Sequence, residues 1–259
     1  MKGLFIVFEG IEGSGKTTHA KALKKWLEEK RAGYKVEFFK EPTSFPIGSL
    51  IKRVLNKEVV VAEEALPLLF AADRADHTIR HITPALEKGS IVICDRYVFS
   101  SLAYQGGGMK VKFDIKWLKE INKFIIEPDI VFFLDVPPEE GLKRISRVND
   151  DRYFYDLEVQ KRIRETYYNV LNLNWPISDS YLIKRYSMPR KLVSKVRVSL
   201  LNNTWVVKID STLPHKENQK IIKDFVNWLI KSKNIGVKEE KKEKYKKLSQ
   251  ILNSLKDKK

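Results

Sequence analysis

An α/β fold with helices on both faces of a five-stranded parallel sheet follows from three observations. Five short apolar runs read as strands. Periodic, charged, helix-like stretches separate the first four, as parallel strands require. A glycine-rich stretch joins the first run to the first helix.

Residues 4–8 have the length and composition of a buried strand. Gly10, Ile11, Glu12, Gly13, Ser14, Gly15, Lys16 and Thr17 then fit G-x-x-x-x-G-K-[ST], the phosphate-binding loop. Ala20, Leu23, Trp26 and Leu27 follow at helical spacing, so the motif stands in the context it needs. Glycines let the backbone wrap an anion, and amides at the helix N-terminus point at it. In such a loop Lys16 reaches the β/γ-phosphates and the Thr17 hydroxyl ligates Mg²⁺. The chain is expected to bind a nucleoside triphosphate on a P-loop NTPase-type α/β/α fold.

The other strand runs are residues 36–39, 91–94, 130–134 and 206–209. In open parallel sheets ligands gather beyond the carboxyl ends of the strands. Glu9-Gly10, Lys40-Glu41-Pro42, Asp95-Arg96, Asp135 and Asp210-Ser211-Thr212 stand at those ends. Residues 62–86 read as a helix that Pro67 opens or kinks and Pro84 interrupts. Gly106-Gly107-Gly108 reads as flexible punctuation before a helix at 115–126. Pro137-Pro138-Glu139-Glu140 reads as a helix start.

Two stretches fit this plan poorly. Residues 175–203 carry Lys184, Arg185, Arg190, Lys191, Lys195 and Arg197, are broken by Pro176 and Pro189, and look like an insertion before the fifth strand. In residues 233–259, Tyr245, Leu248, Leu252 and Leu255 recur at helical spacing among lysines, reading as an amphipathic helical tail after a polar linker. Residues 1–232 are thus expected to form one domain.

A formal net charge of +16 calls for an anionic partner. The tail alone holds ten lysines against four acids, a net +6. No apolar run approaches the ~20 residues of a membrane span. Cys94 is the only cysteine, which excludes an intrachain disulfide and a cysteine metal cluster. The first strand begins almost at once, leaving no room for a signal peptide, so a cytoplasmic location is expected.

Several ordered motifs resemble the thymidylate kinase family: Phe8 to Thr18, Glu41-Pro42, Leu69-Phe70-Ala71-Ala72-Asp73-Arg74, Asp95-Arg96-Tyr97 with Ser100, Ala103-Tyr104-Gln105 followed by three glycines, and Leu134 to Arg144. The resemblance spans about residues 1–230 apart from the insertion. It implies transfer of the γ-phosphoryl of ATP to dTMP, with Mg²⁺, in a homodimer formed through helices around residues 64–79. It also implies that Arg96 holds the acceptor phosphate, Phe70 stacks on thymine and Arg74 bonds its edge. Ser101 is the neighbouring base-edge residue, the bulk of Tyr104 disfavours a 2′-hydroxyl, and Glu12 serves the acceptor sugar and phosphate. Because a phosphomonoester is mostly dianionic at neutral pH, no strong base is needed, and Asp95 is read as a metal-side carboxylate acting through water.

Two departures stand out. Lys40 replaces an arginine common before Glu-Pro, which weakens a bidentate phosphate contact. Relatives carry the catalytic arginine either in the phosphate loop or in a lid, and here the loop offers Gly13. A lid at about residues 143–156 must then supply it from Lys143, Arg144, Arg147 and Arg152. Alternative readings are a kinase for dUMP or UMP, and, less favoured, a nucleotide-dependent nucleic-acid-binding protein.

Overall fold

The structure is a computed structural model that describes residues 3–30, 35–145 and 154–232. Strand β1 (Leu4–Glu9) runs into the loop and helix α1 (Lys16–Lys30). β2 (Val36–Lys40) precedes α2 (Pro46–Leu55) and α3 (Ala65–His77). A π-helical turn (Thr78–Ile82) connects α3 to the short α4 (Thr83–Glu87), then β3 (Ile91–Asp95). α5 (Val98–Ala103) passes through a second π turn (Tyr104–Gly108) to α6 (Ile115–Ile121) and β4 (Ile130–Asp135). α7 (Pro138–Ile145), α8 (Leu157–Val170), α9 (Asp179–Tyr186) and α10 (Arg190–Val193) follow. β5 (Arg197–Leu201), β6 (Thr204–Asp210) and α11 (His215–Ser232) complete the described residues.

The sheet has six strands in the order β2-β3-β1-β4-β6-β5, not the expected five. Five are parallel, and β5 is antiparallel to β6 across an Asn202-Asn203 turn. This edge strand comes from the stretch read as an insertion. Residues of β1, β3 and β4 are buried throughout, because helices cover both faces. On one face α1 and α11 close over Ile6, Phe8 and Phe132 with Leu23, Leu27, Ile222 and Phe225. On the other, α5 and α8 pack Leu102, Ile163 and Tyr167 on Phe5, Val7 and Phe133.

Two expectations need local correction. The helix expected at 115–126 stops at Ile121; it is capped by Asp114, whose side chain accepts from Lys116 N. The three glycines are packed: a Cβ on Gly107 would stand 2.2 Å from Thr166 Oγ1, so a side chain there would push α8 away. Close approach, not flexibility, explains that glycine. Pro84 falls at the start of α4, and the preceding π turn absorbs the irregular helix as the Thr83 hydroxyl donates to Thr78 O (2.8 Å).

Candidate active site

The loop between β1 and α1 borders a cleft of about 690 Å³ beyond the carboxyl ends of β1, β2 and β3. Gly13 has φ +70°, and a Cβ on it would lie 2.0 Å from the Gly141 carbonyl oxygen. No side chain fits at position 13 while α7 abuts the loop. Lys16 is buried, and its ammonium donates to Ile11 O (2.6 Å) and Ser14 Oγ (3.2 Å). Burial, joined by the nearby Arg96 charge, lowers its pKa to about 8 against the opposing pull of Glu12, Asp95 and Glu9. Thr17 donates its hydroxyl to Asp95 Oδ2, while Asp95 Oδ1 is buried with no hydrogen-bond partner among the described residues. Lys40 Nζ stands 3.6 Å from Asp95 Oδ2. Thr18 is exposed on the same cleft wall.

Arg96 faces the loop from the end of β3. Its backbone is left-handed, φ +71°, and its N–H donates to Phe8 O (3.0 Å). Its guanidinium bonds Glu12 Oε1 (2.5 Å) and Ser100 Oγ (3.3 Å) and lies 4.8 Å from the Tyr104 ring centre. The Tyr104 hydroxyl donates to the same Glu12 oxygen (3.1 Å). Burial alone would raise the Glu12 carboxyl, but the charges of Arg96 and Lys16 outweigh it and bring its pKa to about 2. Arg96, despite its burial, is held well above its ordinary pKa by Glu12.

Behind this cleft lies a buried polar network, in which His77 Nε2 lacks a hydrogen-bond partner among the described residues. Arg74 is buried and donates to Glu41 Oε2 (2.7 Å) and Asn122 Oδ1 (2.5 Å). His77 Nδ1 lies 2.9 Å from Glu41 Oε1. Thr43 N and Oγ1 both donate to the buried Asp73 carboxylate (2.8 and 2.6 Å), fixing the turn after the cis Glu41–Pro42 peptide to α3. Phe70 on α3 is half-buried against the core. Ser101 Oγ and Gln105 Oε1 are buried without hydrogen-bond partners among the described residues. The cleft walls include Glu41, Pro42 and Arg96, but not Phe70, Arg74, Ser101 or Tyr104.

On the opposite side, Arg144 Nη2 donates to Ser211 O (3.1 Å), Nη1 lies 3.5 Å from Gly13 O, and Nε bonds Glu140 (3.1 Å). Arg144 and Ile145 line the cleft; Arg147 and Arg152, with most of the expected lid, lie outside the described residues. The basic tail at 233–259 also lies outside them.

Three residues that the sequence places at strand ends without a role, Glu9, Ser211 and Asp135, are structural supports. Glu9 ends β1 fully buried and accepts from Tyr97 N (2.8 Å), Ser100 N (3.1 Å), Ser100 Oγ (2.6 Å) and Tyr167 OH (2.8 Å). It thereby fixes the start of α5 beside Arg96, although burial raises its pKa. A carboxylate closing a wholly apolar strand signals such a support. Ser211 Oγ donates to Ser14 O (2.6 Å) and ties the β6 end to the loop. Asp135, another strand-end acid, is fully engaged by Arg164 (2.7 and 2.9 Å), Tyr168 (2.7 Å) and Lys208 (2.9 Å).

Known proteins match this arrangement. A family model described as thymidylate kinase matches residues 8–182. A protein of Pyrococcus horikoshii named "Probable thymidylate kinase" is 47% identical over 174 residues, covering 64% of this chain and 82% of that protein. Its namesake in Thermococcus kodakarensis is 46% identical over 174 residues, covering 63% and 82%. A "Thymidylate kinase" of Halothermothrix orenii is 40% identical over 179 residues, covering 66% and 84%. With a phosphate loop, a strand-end Asp-Arg pair and a match across most of its described residues, this chain belongs to the thymidylate kinase family.

Proposed function

We propose that this chain transfers the γ-phosphoryl group of ATP to dTMP, forming dTDP and ADP with Mg²⁺. The observation that carries the reading is the convergence of Lys16, Thr17, Asp95 and Arg96 on one cleft, with two cations facing it from opposite sides. Phosphoryl transfer needs positioning and charge neutralisation more than acid–base chemistry. Lys16 now spends its donors on Ile11 and Ser14; a donor phosphate replaces those partners and holds the ammonium protonated. Arg96 is preoriented by Glu12 and Ser100 for the acceptor phosphate. Displacement of Glu12 by that dianion frees a carboxylate beside the acceptor sugar.

The unpartnered Asp95 Oδ1 next to the Thr17 hydroxyl fits a hard cation with oxygen ligands. Bound there, Mg²⁺ neutralises charge on the β- and γ-phosphates. For the base, Phe70 and Arg74 share one face of α3, and the unpartnered Ser101 and Gln105 oxygens supply further edge contacts. The absence of room at Gly13 supports a lid arginine, Arg144, Arg147 or Arg152, as the cation over the transferred group. A homodimer through α3 fits the 50% exposure of Leu68 on that helix. No described helix is long and apolar enough to cross a membrane, and the reading includes a cytoplasmic location.

The test is ADP release measured across nucleoside monophosphates at fixed ATP. The expected order is dTMP ahead of dUMP and UMP. Preference for UMP or dUMP overturns the acceptor assignment, and no release with any monophosphate overturns the kinase reading.

A further inference from the structure

Residues 175–203 contribute nothing to the cleft, and the family match ends at residue 182. They carry six cations, Lys184, Arg185, Arg190, Lys191, Lys195 and Arg197, against Asp179 alone, a net +5 of the chain's +16. All six are exposed. Among the described residues none has an acidic partner within ion-pair distance. Elsewhere the surface mixes its charges: Lys24, Lys161 and Lys220 each meet a glutamate or aspartate on their own helix, and Lys123, just past α6, meets Glu120.

Two exposed aromatic side chains belong to the same segment. Trp175 is 77% exposed and Tyr181 is 51% exposed. On α9, Tyr181, Lys184 and Arg185 have the i, i+3, i+4 spacing of one helix face. The segment is not a loose appendage. Leu182, Met188, Leu192, Val193 and Val198 are buried in the same core cluster as Trp205 and Phe225. Ile177 N donates to Val198 O (2.8 Å), which lays residues after Trp175 along the outer side of edge strand β5. Tyr186 packs edge-on against Trp205 (4.8 Å), and Trp205 against Trp228 of α11 (5.5 Å). The cations and aromatics are therefore displayed from a fixed body.

We propose that this face binds single-stranded nucleic acid. Clustered, unpaired cations repel one another and attract a polyanion, while an exposed indole and phenol offer flat surfaces on which unpaired bases stack. A lipid surface is a poorer match: an interfacial helix turns its apolar face outward, but α9 buries Leu182 and packs Tyr186 inward. A duplex is poorer too, since its bases are not free to stack on Trp175. This function is independent of the kinase cleft.

The test uses the full chain and a fluorescein-labelled single-stranded oligodeoxyadenylate of about thirty nucleotides, long enough to span several stacking sites. Binding is read by anisotropy with saturating dTMP present, so that the cleft is filled. If all six cations contact phosphates, log K falls with log salt at a slope of about −4. Lys184→Glu with Arg185→Glu, and separately Arg190→Glu with Lys191→Glu, are expected to weaken binding about tenfold or more and to leave ADP release from dTMP and ATP unchanged. Trp175→Ala is expected to weaken it about fivefold or more, and Trp175→Phe to restore most of the loss. Four outcomes overturn the proposal: no binding at low salt, undiminished binding by both charge-reversal variants, equal affinity for a duplex of the same length, or preference for phosphatidylserine vesicles with the same variant losses.

Discussion

The cleft around Lys16 and the network around Arg74 are built from the same residue types and behave oppositely. In the network the carboxylate and the guanidinium meet permanent partners: Arg74 holds Glu41 and Asn122, and Glu41 also holds His77 Nδ1, with only His77 Nε2 unpartnered among the described residues. In the cleft the partners are provisional. Lys16 leans on a backbone carbonyl and a hydroxyl, and Asp95 leaves one oxygen unused. A paired network resists change and positions a wall; an open set accepts a ligand's charge. The difference teaches that burial of a charge does not tell its job, whereas what satisfies it does.

Substitutions can break this contrast. Lys16→Ala is expected to lower kcat/KM about 10³-fold or more, because it removes a donor aimed at developing phosphate charge. Its melting temperature should stay near that of the parent; a parent-like rate in the folded variant would return Lys16 to a structural role. Next come single Ala variants of Arg144, Arg147 and Arg152. At least one should lower kcat about 10²-fold or more while leaving both KM values nearly unchanged, with Lys restoring only part. If all three stay within about threefold, roughly 0.65 kcal/mol, the lid supplies no catalytic cation.

Arg74→Ala attacks the other region. It strands the buried Glu41 carboxylate and is expected to cost about 3–5 kcal/mol of stability in chemical denaturation. It should also weaken dTMP binding; a variant as stable as the parent would remove Arg74 from the wall, and one that binds dTMP as tightly as the parent would remove it from the base site. Phe70→Ala is milder: about 1–3 kcal/mol weaker dTMP binding by titration, with ATP affinity unchanged. Equal losses for both nucleotides would mark Phe70 as core.

The smallest effect is protonic. Lys16 has a pKa of about 8 in the unliganded chain, below its ordinary 10.5. Across that window the unfolded chain binds more protons at this group, so Lys16 makes stability rise with pH there. A triphosphate restores the ammonium. Binding of a non-hydrolysable ATP analogue at about pH 8.5 should therefore take up protons, giving a heat that varies with the buffer's ionisation enthalpy. The uptake should disappear near pH 6.5, where only proton release from the analogue's own terminal phosphate remains, and continued uptake there would assign the proton to another group.

Much of this was legible in the sequence for local reasons. The phosphate loop, the four parallel strands before residue 175 and the strand-end Asp95-Arg96 announce themselves through contiguous spacing. What escaped is non-local or two-sided. Asn122 meets Arg74 across 48 residues, and nothing near Asn122 signals that contact. β5 was hidden because Arg197–Leu201 sits in a basic, proline-broken stretch, although Asn202-Asn203 between two apolar runs is a hairpin signal. Gly107 and Gly108 read as flexible because Thr166 and Ile163 of α8, which crowd them, lie more than fifty residues on.

The left-handed backbone at Arg96 sets two selective pressures against each other. An L-residue with a bulky side chain is held there at a cost of about 1–2 kcal/mol, which glycine would relieve and asparagine would reduce. Selection for heat resistance alone would drift this position toward those two residues. Only selection for turnover keeps a guanidinium at the end of β3, so the position would separate lineages, or engineered libraries, ruled by endurance from those ruled by catalysis.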